Sequence, residues 1–321
     1  MHTAIITLPS TFLYETIIIE NGCTVGKNIS DELLSGWTVL VQQQCNNYSK
    51  IITHYGYSGW LNSAAICDIS QEEFLLWNTY WIDSEGSFRT INGISDKNFI
   101  KTINLTSNKD FIKTIDPIEN KTFPFPAILC KGMTDVLKEP RVQAELLSTL
   151  FMGSTVLLYA PSDNGWQKIK TAEGICGYIP SISLLSSKDI EQNETQLRSA
   201  IINYAMSYLG TQYRWSGKTH AGIDCSGLTF MSYYMCGIFI YRDAAIVDGY
   251  PIQEIPFSKI RPADLLYFPG HVALYLGNWK YIHATGNLNS FGCVINSLNP
   301  KDSDYREDLA NSLKAVGSVF S

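Results

Sequence analysis

The tetrapeptide Asp224-Cys225-Ser226-Gly227 is the part of this chain best suited to carry chemistry. Aspartate is a strong helix N-cap. The residues after it place Leu228, Met231 and Met235 at helical spacing, with Gly237 as a stop. Cys225 therefore falls in the first turn of a helix. Unpaired backbone N–H groups and the helix dipole favour an anion there, which predicts a lowered thiol pKa. It also predicts that Cys225 reacts with iodoacetamide ahead of the other thiols. An isolated cysteine is equally often a buried structural thiol, and that is the reading for Cys236 and Cys293.

Histidine supplies the deciding observation. The chain has five, and two follow Cys225 in neighbouring strand-like runs. In Gly270-His271-Val272-Ala273-Leu274-Tyr275-Leu276-Gly277, residues 271, 273 and 275 share one strand face. A three-residue loop at Gly277-Asn278-Trp279 would pair Leu276 with Lys280 and Ala273 with His283. His271 and His283 then lie diagonally on one face, with backbones roughly 7–8 Å apart and side chains within reach. A capped cysteine beside such a pair has the nucleophile, base and orienting group that thiol chemistry needs.

The elements that must hold these residues are legible in outline. Leu197, Ile201, Tyr204 and Tyr208 recur at helical spacing before Gly210. Strands are expected over 265–268, 272–276 and 280–284. Helices followed by hairpin-linked strands indicate an α+β domain with an antiparallel sheet. Upstream, Glu32-Leu33-Leu34-Ser35, Gly36, Thr38-Val39-Leu40-Val41, Asn46-Asn47-Tyr48 and Gly56-Tyr57-Ser58-Gly59-Trp60-Leu61 are echoed in order. The echo runs through Glu145-Leu146-Leu147-Ser148, Gly153, Thr155-Val156-Leu157-Leu158, Asn164-Gly165-Trp166 and Gly174-Ile175-Cys176-Gly177-Tyr178-Ile179. Both stretches read as small β-barrels, the alternative being two unrelated hairpins. Between them, residues 98–103 and 110–115 form a near-duplicate that suggests a hairpin or two edge strands. Phe123-Pro124-Phe125-Pro126 reads as an extended linker.

Composition narrows the function classes. The 321 residues suit two or three domains, and 45% hydrophobic against 17% charged residues excludes a disordered chain. A net charge of −6 without a basic run argues against nucleic acid as a partner. The eight cysteines form no CxxC pair, so no metal or other cofactor is expected, and they suit a reducing compartment. Neither a signal peptide nor an apolar stretch of roughly 18 residues is seen, so no transmembrane segment is expected. The chain as written is expected to be cytoplasmic, or periplasmic or secreted if a signal has been removed.

Tyr213-Arg214-Trp215-Ser216-Gly217, Asp224-Cys225-Ser226-Gly227, Gly270-His271-Val272 and Tyr281-Ile282-His283-Ala284 together resemble the NlpC-type, papain-like cell-wall cysteine peptidases. The resemblance implies Cys225 as nucleophile, His271 as general base and acid, and His283 as the group orienting His271. It implies that Tyr213 stabilises the oxyanion or positions substrate, and that Asp224 and Ser226 contact substrate. Arg242-Asp243-Ala244 is similar to a segment lining the cleft, which makes Asp243 a further substrate-binding candidate; a solvated loop is the alternative. Ala263 and Ala273 stand where many relatives have glycine, which touches fine specificity and no catalytic group.

The repeated β segments resemble bacterial SH3-like domains. The expected order is a first SH3-like domain over 1–70, a linker or insertion of unassigned role over 71–126, a second SH3-like domain over 127–188 and the peptidase domain over 189–321. Paired SH3-like domains ahead of such a peptidase are similar to one subgroup. That likeness implies cleavage between γ-D-glutamate and the L-diamino acid of peptidoglycan stem peptides with a free N-terminal L-alanine. The first SH3-like domain is expected to close one end of the cleft, with Glu32 and Tyr57 receiving the alanine ammonium. The expected partners are peptidoglycan-derived peptides, and the chain is expected to be monomeric. Two alternatives stay open: an amidase cutting another bond, such as N-acetylmuramoyl–L-alanine, and a wall-binding adaptor with an inactive catalytic domain.

Overall fold

Short runs of β-branched and aromatic residues, cut by asparagine and glycine turns, make the N-terminal half a β structure. The computed structural model describes residues 1–78, 123–185 and 193–320. The first two stretches form one unit and the third another. Residues 98–103 and 110–115 lie outside the described residues.

The first unit holds two antiparallel sheets. One contains β1 (His2–Ile6), β2 (Ser10–Glu20), β3 (Cys23–Leu34), β4 (Thr38–Cys45), β5 (Tyr48–Thr53), β6 (Ser58–Asn62) and β7 (Ile66–Asp68), in the order β3-β2-β6-β5-β4-β1-β7. The other contains β8 (Phe125–Ile128), β9 (Met133–Leu137), β10 (Leu146–Phe151), β11 (Thr155–Leu158), β12 (Trp166–Lys170) and β13 (Cys176–Pro180), in the order β10-β9-β13-β12-β11-β8. Laying β1–β6 on β8–β13 gives the same order strand for strand. The echo in the sequence is thus an echo of topology, with Asn46 and Asn164 at matching turns in the left-handed region (φ 52° and 47°). Leu129, Val136, Leu150, Val156, Ile169 and Ile179 close the core of the second sheet.

Part of the segment expected as linker is structured. Residues 71–78 form α1 (Gln71–Asn78), whose Phe74 and Leu75 are buried and whose Trp77 packs with Ile5 of one sheet and Leu157 of the other. Asn78 donates to Thr38 Oγ1 at 2.7 Å. Phe125 and Pro126 are extended as expected, yet they belong to β8, opposite Leu158 and Leu157. Proline fits because β8 is an edge strand of its sheet.

The second unit begins with α2 (Glu194–Ser207), started by a capping box between Asn193 and Gln196. A short hairpin of β14 (Lys218–Thr219) and β15 (Gly222–Ile223) leads into α3 (Cys225–Tyr234). Then come β16 (Gln253–Ile255), β17 (Leu265–Phe268), β18 (His271–Gly277), β19 (Lys280–Thr285), β20 (Gly292–Ser297), α4 (Glu307–Ala310) and β21 (Ala315–Ser318). The sheet is antiparallel in the order β16-β21-β17-β18-β19-β20. Helices α2 and α3 pack together, and α3 packs on β18 and β19.

The β18–β19 connection departs from the expected three-residue loop. Gly277 pairs with Lys280, leaving only Asn278 and Trp279 in the turn, both at positive φ (51° and 66°). A bulge between Tyr275 and Gly277 absorbs the extra residue, so Tyr275 pairs with Tyr281 and Leu274 with Ile282. Continuing that register sets Ala273 across from His283. The shorter turn and the bulge cancel, and the histidines keep their common face.

In the first unit the two sheets meet tightly at Gly36. Thr155 N–H donates to Ser35 O at 3.0 Å and Trp37 Nε1 donates to Gly153 O at 2.9 Å. A Cβ on Gly36 would lie 2.2 Å from Thr155 O, and its φ of 81° already disfavours any side chain. Gly36→Ala is therefore expected to destabilise this unit by about 1–3 kcal/mol. Urea unfolding followed by tryptophan fluorescence measures it. An unchanged midpoint would show that the sheets do not depend on this contact.

Candidate active site

Asp224 organises the start of α3. Its Oδ1 accepts from Gly227 N–H at 2.5 Å, the N-cap bond, and its Oδ2 accepts from Ser216 N–H at 2.8 Å. The Arg242 guanidinium reaches both oxygens at 3.3 Å and donates to Ser226 Oγ at 2.7 Å. All three side chains are buried, Arg242 to 1% exposure. A buried arginine is stable here because its fork meets a carboxylate and a hydroxyl together. Gly227 permits the arrangement: a Cβ there would sit 2.1 Å from Gly217 O. Asp224 and Ser226, expected to contact substrate, thus spend their polar atoms inside the protein. What they do in this structure is hold the turn that carries Cys225.

Cys225 sits in that first turn, 7% exposed. The backbone N–H groups of Val272, next to His271, and of Ser226 favour its thiolate. The expectation of a lowered thiol pKa is overturned. Burial, and next the Asp224 carboxylate, push the thiol up to about 11, and together they outweigh Arg242 and the two N–H groups. Tyr213, bridged to Ile223, is close enough to Cys225 and Asp224 that their charges, after burial, hold its phenol well above the usual value. It remains a hydroxyl donor. Phe291 meets its ring edge-on at 6.2 Å between centroids.

The histidines are in direct contact. His271 Nε2 lies 2.8 Å from His283 Nδ1, and His283 Nε2 lies 2.9 Å from Asn296 Oδ1. Asn296 Nδ2 donates onward to Asp304 O at 3.0 Å. Burial lowers the His271 pKa to about 3, with His283 adding to the effect; burial likewise lowers His283 to about 4, against the Asn296 contact. Both rings are neutral at pH 7. The site therefore holds a thiol and a neutral imidazole, an arrangement suited to general-base activation of the thiol during attack.

The remaining candidates lie elsewhere. Asp243 is half-buried and accepts a hydrogen bond from the neighbouring Tyr241 hydroxyl. Glu32 and Tyr57 belong to the first unit. Glu32 is fully buried in β3 beside the equally buried Asp31, which accepts from Tyr55 at 2.5 Å; a solvated surface glutamate is ruled out. Tyr57 is half-buried in the β5–β6 turn, its N–H on Thr53 Oγ1. Sequence reasoning missed Asn296 and gave Arg242 no role of its own. One signal for Asn296 was available: in Cys293-Val294-Ile295-Asn296 it is the lone polar side chain, two residues along from Val294, which pairs with His283.

A capped buried cysteine and a hydrogen-bonded histidine pair on an antiparallel sheet define a papain-like thiol hydrolase. Residues 210–303 match the model of the NlpC/P60 family, a range that contains Tyr213, Cys225, His271, His283 and Asn296. The chain is 42% identical over 200 residues to "Dipeptidyl-peptidase 6" of Lysinibacillus sphaericus, covering 60% of this chain and 72% of that protein. It is 31% identical over 179 residues to "Murein DD-endopeptidase MepS/Murein LD-carboxypeptidase" of Escherichia coli, covering 51% of this chain and 90% of that one. In fold it is similar to the crystal structure of an NlpC/P60 family protein from Bacillus cereus, with a TM-score of 0.65, 16% identity and 98% of each chain covered. The chain belongs to the NlpC/P60 family and is a hydrolase.

The thiol's protonation is open to test. At pH 7 iodoacetamide is expected to label the exposed Cys23, Cys67 and Cys176 before Cys225. The Cys225 rate should climb only as the pH approaches 11, where the thiol ionises. Peptide mass spectrometry over time reads the order. First labelling at Cys225 at neutral pH would mean that the thiolate is already formed.

Proposed function

We propose that the chain is a cysteine endopeptidase that cuts between γ-D-glutamate and the L-diamino acid of peptidoglycan stem peptides carrying a free N-terminal L-alanine. The observation that carries the chemistry is Cys225 at the capped start of α3, a helix packed on the two strands that present the His271–His283 pair. His271 takes the thiol proton as the sulfur attacks the γ-carbonyl carbon. Tyr213 donates its hydroxyl to the developing oxyanion. His271 then passes the proton to the departing amine of the diamino acid. Water, deprotonated by the same ring, releases the glutamyl group from the thioester and restores the thiol.

The choice of bond draws on the relative named as a dipeptidyl-peptidase. L-Ala-γ-D-Glu is a dipeptide, and releasing it from a stem peptide is dipeptidyl-peptidase chemistry that needs an open N-terminus. The relative named as a DD-endopeptidase favours a second reading, cleavage of a peptide cross-link. It has lower identity and aligns with less of this chain, so we place it second. The two β domains are read as SH3-like, supported by their common strand order. All eight cysteines are free thiols, which supports a reducing compartment and a role in peptide recycling. We infer a monomer.

Mass spectrometry of muropeptides incubated with the protein tests the assignment. L-Ala-γ-D-Glu-diaminopimelate is expected to be cut at the γ-D-glutamyl bond, and its N-acetylated form far more slowly. Cys225→Ala should abolish cleavage, and His271→Ala should cost on the order of 10²- to 10⁴-fold. Equal turnover of free, acetylated and glycan-linked substrates would overturn the free-amine requirement, and products of cross-link cleavage would favour the second reading.

The pH profile checks the neutral base. With its conjugate acid at about 3, His271 stays unprotonated below the usual imidazole range. kcat/KM is expected to hold from pH 8 to pH 5 and to fall only in stronger acid. Loss of activity centred near pH 6.5 would mean that His271 titrates as an ordinary histidine.

A further inference from the structure

The hydrogen bonds behind His283 have a direction that the two histidines alone do not fix. Either ring could donate to the other across 2.8 Å: His271 Nε2–H to His283 Nδ1, or His283 Nδ1–H to His271 Nε2. A neutral imidazole carries one proton, so the choice determines which nitrogen of His271 has a free lone pair. In the first case it is Nδ1. In the second Nδ1 bears the proton and Nε2 is occupied, so the ring has no lone pair left to accept from the thiol.

Asn296 breaks the tie. Its amide faces the Asp304 carbonyl at 3.0 Å, and a carbonyl only accepts, so the NH₂ end must point there. The Asp304 carbonyl is held by a second donor, Ser297 N–H at 3.1 Å. Its residue is anchored by Lys280, whose ammonium reaches the Asp304 carboxylate at 2.6 Å and that of Asp302 at 2.9 Å. The other end of the Asn296 amide, Oδ1, therefore faces His283 Nε2 at 2.9 Å and can only accept. His283 must carry its proton on Nε2, its Nδ1 must accept, and His271 must donate from Nε2.

The geometry points to Asn296 as a positioning residue that sets the tautomer of both histidines, leaving the Nδ1 lone pair of His271 free to accept the Cys225 proton. The four groups form a one-way chain from the Asp304 carbonyl to the base. Asn296 is buried to 7% exposure and His283 to 0%, so water does not substitute for the amide. Tyr281, opposite Asn296 on β19, contacts the His283 ring edge-on at 5.1 Å between centroids, and its hydroxyl makes no hydrogen bond to either nitrogen. The inference rests on the reading of Cys225 and His271 as nucleophile and base, but its readout needs no substrate.

Full-length chain labelled with ¹⁵N in histidine supplies the test, with the signals of His2, His54 and His220 identified by replacing each in turn. In long-range ¹H–¹⁵N spectra at pH 7, His271 and His283 are each expected to show a protonated Nε2 and a bare Nδ1. In Asn296→Leu, which keeps the volume and removes the acceptor, His271 should show a population protonated on Nδ1. kcat should fall on the order of 10²-fold with KM little changed, below or near the loss of the base itself. A wild-type His271 protonated on Nδ1 would overturn the proposal outright, whatever the variant does. So would an Asn296→Leu protein that keeps both wild-type tautomers. Failure of the γ-D-glutamyl assignment would leave these spectra unchanged, so the two readings fail separately.

Discussion

The second unit is built around the buried pairing of Asp224 with Arg242. One carboxylate caps α3 through Gly227, fixes the loop before the β14–β15 hairpin through Ser216, and neutralises the guanidinium. Each oxygen serves at least two donors, so removing either partner would strand a buried charge. The pairing also gathers the loop at Ser216, the start of α3 and Arg242 at a single point, which is where Cys225 stands. Cys225 could not be moved without unpicking it. The same carboxylate raises the thiol pKa, so the group that places Cys225 also restrains its ionisation.

Much of this was legible in the residues. Asp224 before a helical run gives the N-cap, and the structure has it. The spacing of His271 and His283 gave their common face even though the turn was misjudged, because a bulge restored the register that a shorter turn removed. Turn length and bulge are set by Asn278 and Trp279 both adopting positive φ, which tryptophan at a loop position does not advertise. The thiol pKa was not legible for a related reason. A sequence shows that Cys225 starts a helix, and says nothing of how completely that start is covered. Burial decided the sign. The burial of Glu32, expected to receive the alanine ammonium, was not legible for the same reason. Phe125 and Pro126 looked like a linker because proline reads as a break, and an edge strand accepts it.

The neutral character of the histidine relay bears on how such a site can work. With the thiol near 11 and His271 near 3, proton transfer between them runs uphill. Those two displacements share one main cause, the loss of water around each group as it becomes charged alone. A proton moved from Cys225 to His271 creates both charges together. Their attraction in a poorly solvated setting then returns much of what separate ionisation costs. An aspartate in place of His283 would favour the imidazolium before substrate arrives. A neutral His283, held by a neutral Asn296, gives the base direction without giving it charge. In the proposed mechanism the ion pair is then favoured mainly as the carbonyl is attacked and Tyr213 meets the oxyanion. On this account the buried site keeps its cysteine in the thiol form, resistant to stray electrophiles and oxidants, until a substrate fills the space beside it.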